Sequence, residues 1–149
     1  MSSIKKAIRE LSLNKDINLL ALSHVYETEP WGYANQNNFL NCIGVFLCRL
    51  PPGELAGLIQ KTEKKIGRVN RGKWQAREID IDILFYSDRI YNSRNLEIPH
   101  PMIEKRNFVL KGLVELMPGY THPVSRKSIE YLSNNSKDKC KVKLYKHNI

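Results

Sequence analysis

The sequence is short of cysteine, of acid and of long apolar runs, and each shortage removes a class of protein. Its three cysteines, Cys42, Cys48 and Cys140, form no CxxC pair. Cys42 and Cys48 lie too far apart along one expected strand to bridge each other. No His or Cys stands beside them at zinc-ligand spacing. An odd, scattered set points to reduced thiols and a cytoplasmic setting. No apolar stretch approaches 18 residues, so no membrane span is expected. The opening Met1-Ser2-Ser3-Ile4-Lys5-Lys6 leads into an amphipathic pattern without the apolar core of a secretory signal. There is no GxxxxGK[ST] loop and no kinase signature set, which excludes those two routes to phosphoryl transfer. Internal repeats, low-complexity segments and linkers are missing too.

What is present is one domain's worth of chain, residues 1–149, with 42% apolar and 26% charged residues. A chain of this length buries roughly 68–70% of its unfolded surface and needs neither disulfide nor structural metal for a core. The 24 Lys and Arg outnumber the 15 Asp and Glu, leaving a net charge of +9. Lys61, Lys64, Lys65, Arg68, Arg71, Lys73 and Arg77 crowd one stretch against Glu63 alone. A second cluster, Lys137, Lys139, Lys141, Lys143 and Lys146, reads as a solvated basic tail. The first cluster implies an anionic partner: a nucleic acid, an acidic surface or a small polyphosphate.

Periodicity orders the elements. Ile4, Ala7, Ile8 and Leu11 predict a helix with Ser2 or Ser3 as its N-cap. A strand is expected over Leu19 to Glu27, and a second, apolar on both faces, over Asn37 to Arg49. Pro52 opens a helix lined by Leu55, Leu58, Ile59, Thr62 and Ile66, which Gly67 ends. A loop over Arg68 to Ala76 leads into a strand over Arg77 to Tyr86, and a further loop runs to Pro101. A helix carrying Phe108, Val109, Leu113 and Met117, a short helix near Ser125 to Leu132 and a strand near Lys141 to Tyr145 complete the chain. The order α-β-β-α-β is a split βαβ plan without its opening strand. The fold class is therefore α+β, a ferredoxin-like α/β sandwich with a mostly antiparallel sheet whose first strand is missing from this chain.

The sharpest local signal is Arg77-Glu78-Ile79-Asp80-Ile81-Asp82-Ile83-Leu84. In a strand Asp80 and Asp82 point one way while the isoleucines point the other. Their Cα atoms would stand about 6–7 Å apart. At an effective dielectric near 20 two such charges repel by roughly 2–3 kcal/mol, a cost that a cation between them would remove. Hard oxygen donors suit Mg²⁺ shared with substrate phosphates. Arginines beside such aspartates are what phosphoryl transfer requires, because its catalysis is mostly positioning and charge stabilisation. The plainer reading is the solvated face of an edge strand.

At these residues the chain resembles the 6-hydroxymethyl-7,8-dihydropterin pyrophosphokinase family. Trp74-Gln75-Ala76-Arg77-Glu78-Ile79-Asp80-Ile81-Asp82 matches its Trp-Gly-Pro-Arg-x-x-Asp-x-Asp stretch. Four more motifs follow the family's order: Tyr26-Glu27-Thr28-Glu29-Pro30-Trp31-Gly32, Phe39-Leu40-Asn41, Glu63 through Gly67-Arg68, and Pro99-His100-Pro101 with Arg106-Asn107-Phe108. The resemblance, over roughly residues 4 to 120, implies transfer of pyrophosphate from ATP to a reduced hydroxymethyl pterin, releasing AMP, in folate biosynthesis. It implies that Asp80 and Asp82 bind two Mg²⁺ ions and, with Arg77, form the catalytic set. It implies that Gln60, Glu63, Arg71, Trp74, Arg77, Ile83, His100 and Arg106 bind ATP. It further implies that Thr28, Glu29, Trp31, Phe39, Asn41, Trp74 and Phe108 bind the pterin. A flat heterocycle gains from stacking between Phe39 and Phe108, and the Asn41 amide offers both donor and acceptor to its polar edge. Trp74 on its loop could close over the site and exclude water. The protein is then expected to be a monomer with no nucleic-acid or membrane partner.

The chain departs from the family at Gln75-Ala76 and at Asn70, and it lacks the opening strand and its Gly-Ser-Asn-Leu-Gly turn. A start codon assigned too late is the preferred explanation, ahead of a shortened chain or a rebuilt sheet edge. Two other functions stay open at this point. One is a non-catalytic pterin or nucleotide binder. The other is a small basic RNA-binding module, although the RNP1 aromatic motif is absent.

Overall fold

The computed structural model describes residues 1–29, 38–68 and 78–147. Helix α1 (Ser2–Ser12) buries Ala7 and Leu11. Its N-cap is Met1 without a side-chain bond, so Ser2 and Ser3 lie inside the helix rather than capping it. Helix α2 (Pro52–Ile66) begins at its proline as expected and ends at Gly67, whose φ of 107° only glycine adopts freely. No described helix is long and apolar enough to cross a membrane.

Both long strands expected from sequence are broken. Residues 17–28 form β1 (Ile17–Leu22) and β2 (Val25–Thr28), and residues 39–48 form β3 (Phe39–Asn41) and β4 (Gly44–Cys48). β1 pairs antiparallel with β4, and β2 pairs antiparallel with β3. The breaks lie side by side because Ser23 stitches them together. Its N–H donates to the Ile43 carbonyl at 2.8 Å, while its hydroxyl accepts from the Ile43 N–H at 2.9 Å and donates to the His24 carbonyl at 2.8 Å. A strand whose groups are bonded through a side chain leaves the regular ladder.

The expected strand over Arg77 to Tyr86 is a correction. Its described part, from Glu78, joins no ladder, and Tyr86 makes only an isolated bridge to Asp88. The backbone is satisfied in other ways: Ile81 N–H donates to a Glu63 carboxylate oxygen at 2.8 Å, and Leu84 C=O accepts from His100 N–H at 2.9 Å. Between this segment and β4 lies a cavity of about 1360 Å³ that Ile4, Ile8, Val45, Ile79 and Leu113 help to line. The alternation survives without the ladder, since Asp80 and Asp82 are exposed while Ile79, Ile81 and Ile83 are half-buried.

The stretch expected to be a loop before Pro101 contains a hairpin, β5 (Tyr91–Ser93) with β6 (Leu96–Ile98). All three β5 residues are exposed, so no apolar alternation marked it in the sequence. Helix α3 (Asn107–Leu116) carries Val109, Leu110 and Leu113 into a core with Ile103, Ile129 and Leu132. Met117 lies just past its end. Helix α4 (Ile129–Asn134) starts later than expected, because the Ser128 hydroxyl accepts from Tyr131 N–H at 3.1 Å and sets the cap there. Strand β7 (Val142–Lys146) adds antiparallel to the free edge of β2. The result is an α+β fold with antiparallel sheets, as the sequence implied.

Helix α3 crosses the paired strand breaks at Gly112. A Cβ there would overlap Ile43 Cγ1 and sit 3.2 Å from Ile43 Cβ and 3.3 Å from Ser23 Oγ. Gly112→Ala gains about 1 kcal/mol of helix propensity, but overpacking against a branched side chain costs about 1–3 kcal/mol. The variant should unfold at lower urea concentration than the parent. A raised midpoint would show that the strand break yields without cost.

Candidate active site

Asp80 and Asp82 are held from behind by α2. Glu63, in its last turns, is only 2% exposed yet carries a carboxylate. One of its oxygens accepts from the N–H of Ile81, the residue between the two aspartates, and the other is bonded by the Arg68 guanidinium. The left-handed turn at Gly67 returns the Arg68 N–H to the Glu63 carbonyl at 3.0 Å, which brings the arginine beside its acid. Arg68 then reaches Asp80 at 2.9 Å with its second nitrogen. A buried charge left without such partners would be costly.

Asp82 has its own cation. Arg106, the residue that precedes α3, donates to it at 3.1 Å, and His100 Nε2 stands 3.8 Å away. His100 follows a cis Ile98–Pro99 bond, and its Nδ1 accepts from Met102 N–H at 3.1 Å. With Nδ1 accepting, the neutral ring carries its proton on Nε2, the nitrogen nearer Asp82. Burial lowers the His100 pKa, and the nearby Asp82 charge opposes that shift. The repulsion expected between the two aspartates is thus offset by a guanidinium for each.

Thr28, Glu29, Phe39, Asn41, Asp80, Asp82, Ile83, Arg106 and Phe108 all line the 1360 Å³ cavity. Asn41 donates its amide N–H to the Thr28 hydroxyl at 2.9 Å across β2 and β3, so the carbonyl end of the amide keeps its acceptor capacity. Gln60 is exposed on α2, and Glu63 stands behind the aspartates rather than in the cavity wall. Trp31, Arg71, Trp74 and Arg77 lie outside the described residues.

Two carboxylates with hard oxygen donors fit Mg²⁺, an ion that normally completes its shell with phosphate and water. Among the described residues no group of three His, Cys, Asp or Glu is arranged to hold an ion unaided. Sequence reasoning missed Asp138. Its carboxylate accepts from Asn107 N–H at 2.8 Å and from Cys140 N–H at 2.9 Å, which anchors the start of α3 between Arg106 and Phe108. It stands in the lysine-rich tail, where charge alone drew attention away from it.

Comparisons with known proteins bear on the family of the chain. A sequence model of 7,8-dihydro-6-hydroxymethylpterin-pyrophosphokinase matches residues 1–118. A 2-amino-4-hydroxy-6-hydroxymethyldihydropteridine pyrophosphokinase of Aquifex aeolicus is 43% identical over 130 residues, 87% of this chain and 80% of that protein. The Porphyromonas gingivalis protein of the same name is 37% identical, over 81% of this chain and 84% of its own. Folic acid synthesis protein fol1 of Pneumocystis carinii is 39% identical over 85% of this chain, which spans only 17% of that longer protein. Matched along most of its length, with aspartates and aromatic pocket residues on one cavity, the chain belongs to the 7,8-dihydro-6-hydroxymethylpterin-pyrophosphokinase family.

Proposed function

We propose that this chain transfers pyrophosphate from ATP to the hydroxymethyl group of 6-hydroxymethyl-7,8-dihydropterin, giving the pterin diphosphate and AMP, as a cytoplasmic monomer in folate biosynthesis. The observation that carries this reading is the continuity of one cavity from the Asp80 and Asp82 carboxylates to Phe39, Asn41 and Phe108.

In this reading the pterin lies between the Phe39 and Phe108 rings, and Asn41 reads its polar edge. Stacking on two rings holds a flat heterocycle at small entropic cost, and the amide selects its donor and acceptor pattern. Arg106 and the Nε2–H of His100 bind phosphate oxygens beside Asp82, while Gln60, Ile83, Arg71, Trp74 and Arg77 complete the ATP side. Trp31 and Glu29 border the pterin, with Thr28 orienting Asn41. Asp80 and Asp82 hold two Mg²⁺ ions, which when bound neutralise charge on the phosphates. Glu63 and Arg68 brace Asp80 and the backbone beside it while Arg106 holds Asp82, so little reorganisation is needed at the moment of transfer.

The test is product analysis with ATP, Mg²⁺ and the reduced hydroxymethyl pterin. AMP should form only when the pterin is present. Asp82→Ala should lower the rate by at least about a hundredfold, the scale of several kcal/mol of lost charge stabilisation. Its stability should change by no more than about 1 kcal/mol, because the Asp82 side chain is 38% exposed and paired at the surface. ADP as product, or a wild-type rate in Asp82→Ala, would overturn the reading.

Asn41→Ala removes the amide that reads the polar edge of the pterin. It should raise the pterin KM about 10- to 100-fold and leave the ATP KM unchanged. Equal changes in both constants would remove Asn41 from the pterin side.

A further inference from the structure

We propose that Glu115 is a positioning residue for pterin binding, setting the distance between the Phe108 ring and the Asn41 amide; this rests on the pterin-pocket reading above. Glu115 lies on α3 well away from the aspartates, and no motif of the sequence singled it out. Its side chain is only 24% exposed. One carboxylate collects every donor that the start of β2 offers to it. The His24 N–H donates to its two oxygens at 2.9 and 3.0 Å, His24 Nδ1 stands 2.8 Å from Oε1, and the Tyr26 hydroxyl donates to Oε2 at 3.0 Å. These partners stand 89 and 91 residues away in sequence.

Register carries the effect to the pocket. Tyr26 pairs directly with Asn41 across β2 and β3, so their side chains share a face about 5 Å apart at Cβ. Thr28, two residues along the same face, receives the Asn41 amide bond. On the helix, Phe108 precedes Glu115 by seven residues, which is two turns, one face and about 10.5 Å. Lys111 on that face stands 5.5 Å from the Tyr26 ring centroid, and Gly112 lets the backbone close on the strand break. Helix α3 and strand β2 are therefore two rails pinned at one end by Glu115, with Phe108 at the other end of one rail and Asn41 beside the second. Burial and the Glu115 carboxylate push the Tyr26 phenol up to about 12, so it stays a hydrogen-bond donor at neutral pH.

The rails predict a ligand-selective effect. A change at Glu115 should alter the pterin side more than the nucleotide side, because Asp80 is braced independently by Glu63 and Arg68, and Arg106, although it precedes α3, is tied to Asp82. Calorimetric titration of the full chain with the reduced pterin and, separately, with a non-hydrolysable ATP analogue reads both. Glu115→Ala should weaken pterin binding about tenfold or more, the scale of one lost charge-assisted bond. Glu115→Gln should fall between, since its amide oxygen still accepts. Tyr26→Phe should shift affinity in the same direction by less, and it serves where Glu115→Ala folds poorly. Nucleotide affinity should fall by clearly less than pterin affinity in all three. Unchanged pterin affinity in these variants, or equal loss for both ligands in step with thermal stability, would make Glu115 a structural clamp only. Asn41→Ala and Phe108→Ala serve as controls. If both bind pterin like wild type, the pocket assignment itself falls and the proposal with it. If they weaken binding while the Glu115 variants do not, the proposal alone falls.

Discussion

The break shared by two neighbouring strands at Ser23 and Ile43 is the constraint on which the pocket depends. An unbroken pair would run on at one twist and leave α3 stacked over a continuous ladder. One serine with three hydrogen bonds stops both strands at the same level and satisfies the backbone that the ladder abandons. β2 and β3 leave the break as a separate pair, joined by β7 rather than β1. That pair carries Thr28, Phe39 and Asn41 to the cavity. Gly112 completes the arrangement, because only a residue without Cβ lets the helix rest on the break.

A second economy of the fold lies at Ile81. A strand that bears catalytic carboxylates usually owes its position to ladder bonds on both sides. Here a buried glutamate side chain takes the N–H between the two aspartates, and His100 takes the carbonyl of Leu84. One side-chain bond and one backbone bond thus tie the aspartate segment to α2 and to the His100 turn at once. The charge on Glu63 is tolerable in the interior because Arg68 shares it with Asp80, which lies at the solvent edge.

Much of this was legible in sequence, and the reasons differ by element. Helix α2 announced itself with Pro52 and Gly67, since each residue type has one conformation or freedom that suits that end. The Asp80 and Asp82 alternation needed only period two, and it persists although the ladder does not. The five ordered motifs found the family. The strand breaks were illegible because strand-forming residues run up to Leu22 and resume at Val25, and a single hydroxyl, on Ser23, decides where the pairing changes. Hairpin β5–β6 was hidden because β5 is exposed on both faces and β6 is too short, with Ile98 its one buried residue, to show an alternation. Glu115 and Asp138 were hidden because their partners stand 31 to 91 residues away in the chain. Side chains that join distant elements leave no periodic trace.

The charges at the aspartates also bear on how a polyanion enters. Asp80, Asp82, Arg68 and Arg106 form two adjoining pairs whose formal charges cancel, with Glu63 adding one further negative charge behind them. A set so nearly balanced has no excess positive charge for a triphosphate. The phosphates need cations from the basic residues just upstream, or cations that arrive with them. Divalent ions, in the reading proposed above, would do both tasks at once, for they would satisfy the carboxylates and leave the guanidinium donors available to phosphate oxygens. An arginine keeps its charge at any working pH, so the exchange from carboxylate to phosphate costs no proton. Each guanidinium can therefore pass from its aspartate to a phosphate oxygen without any change in its own charge.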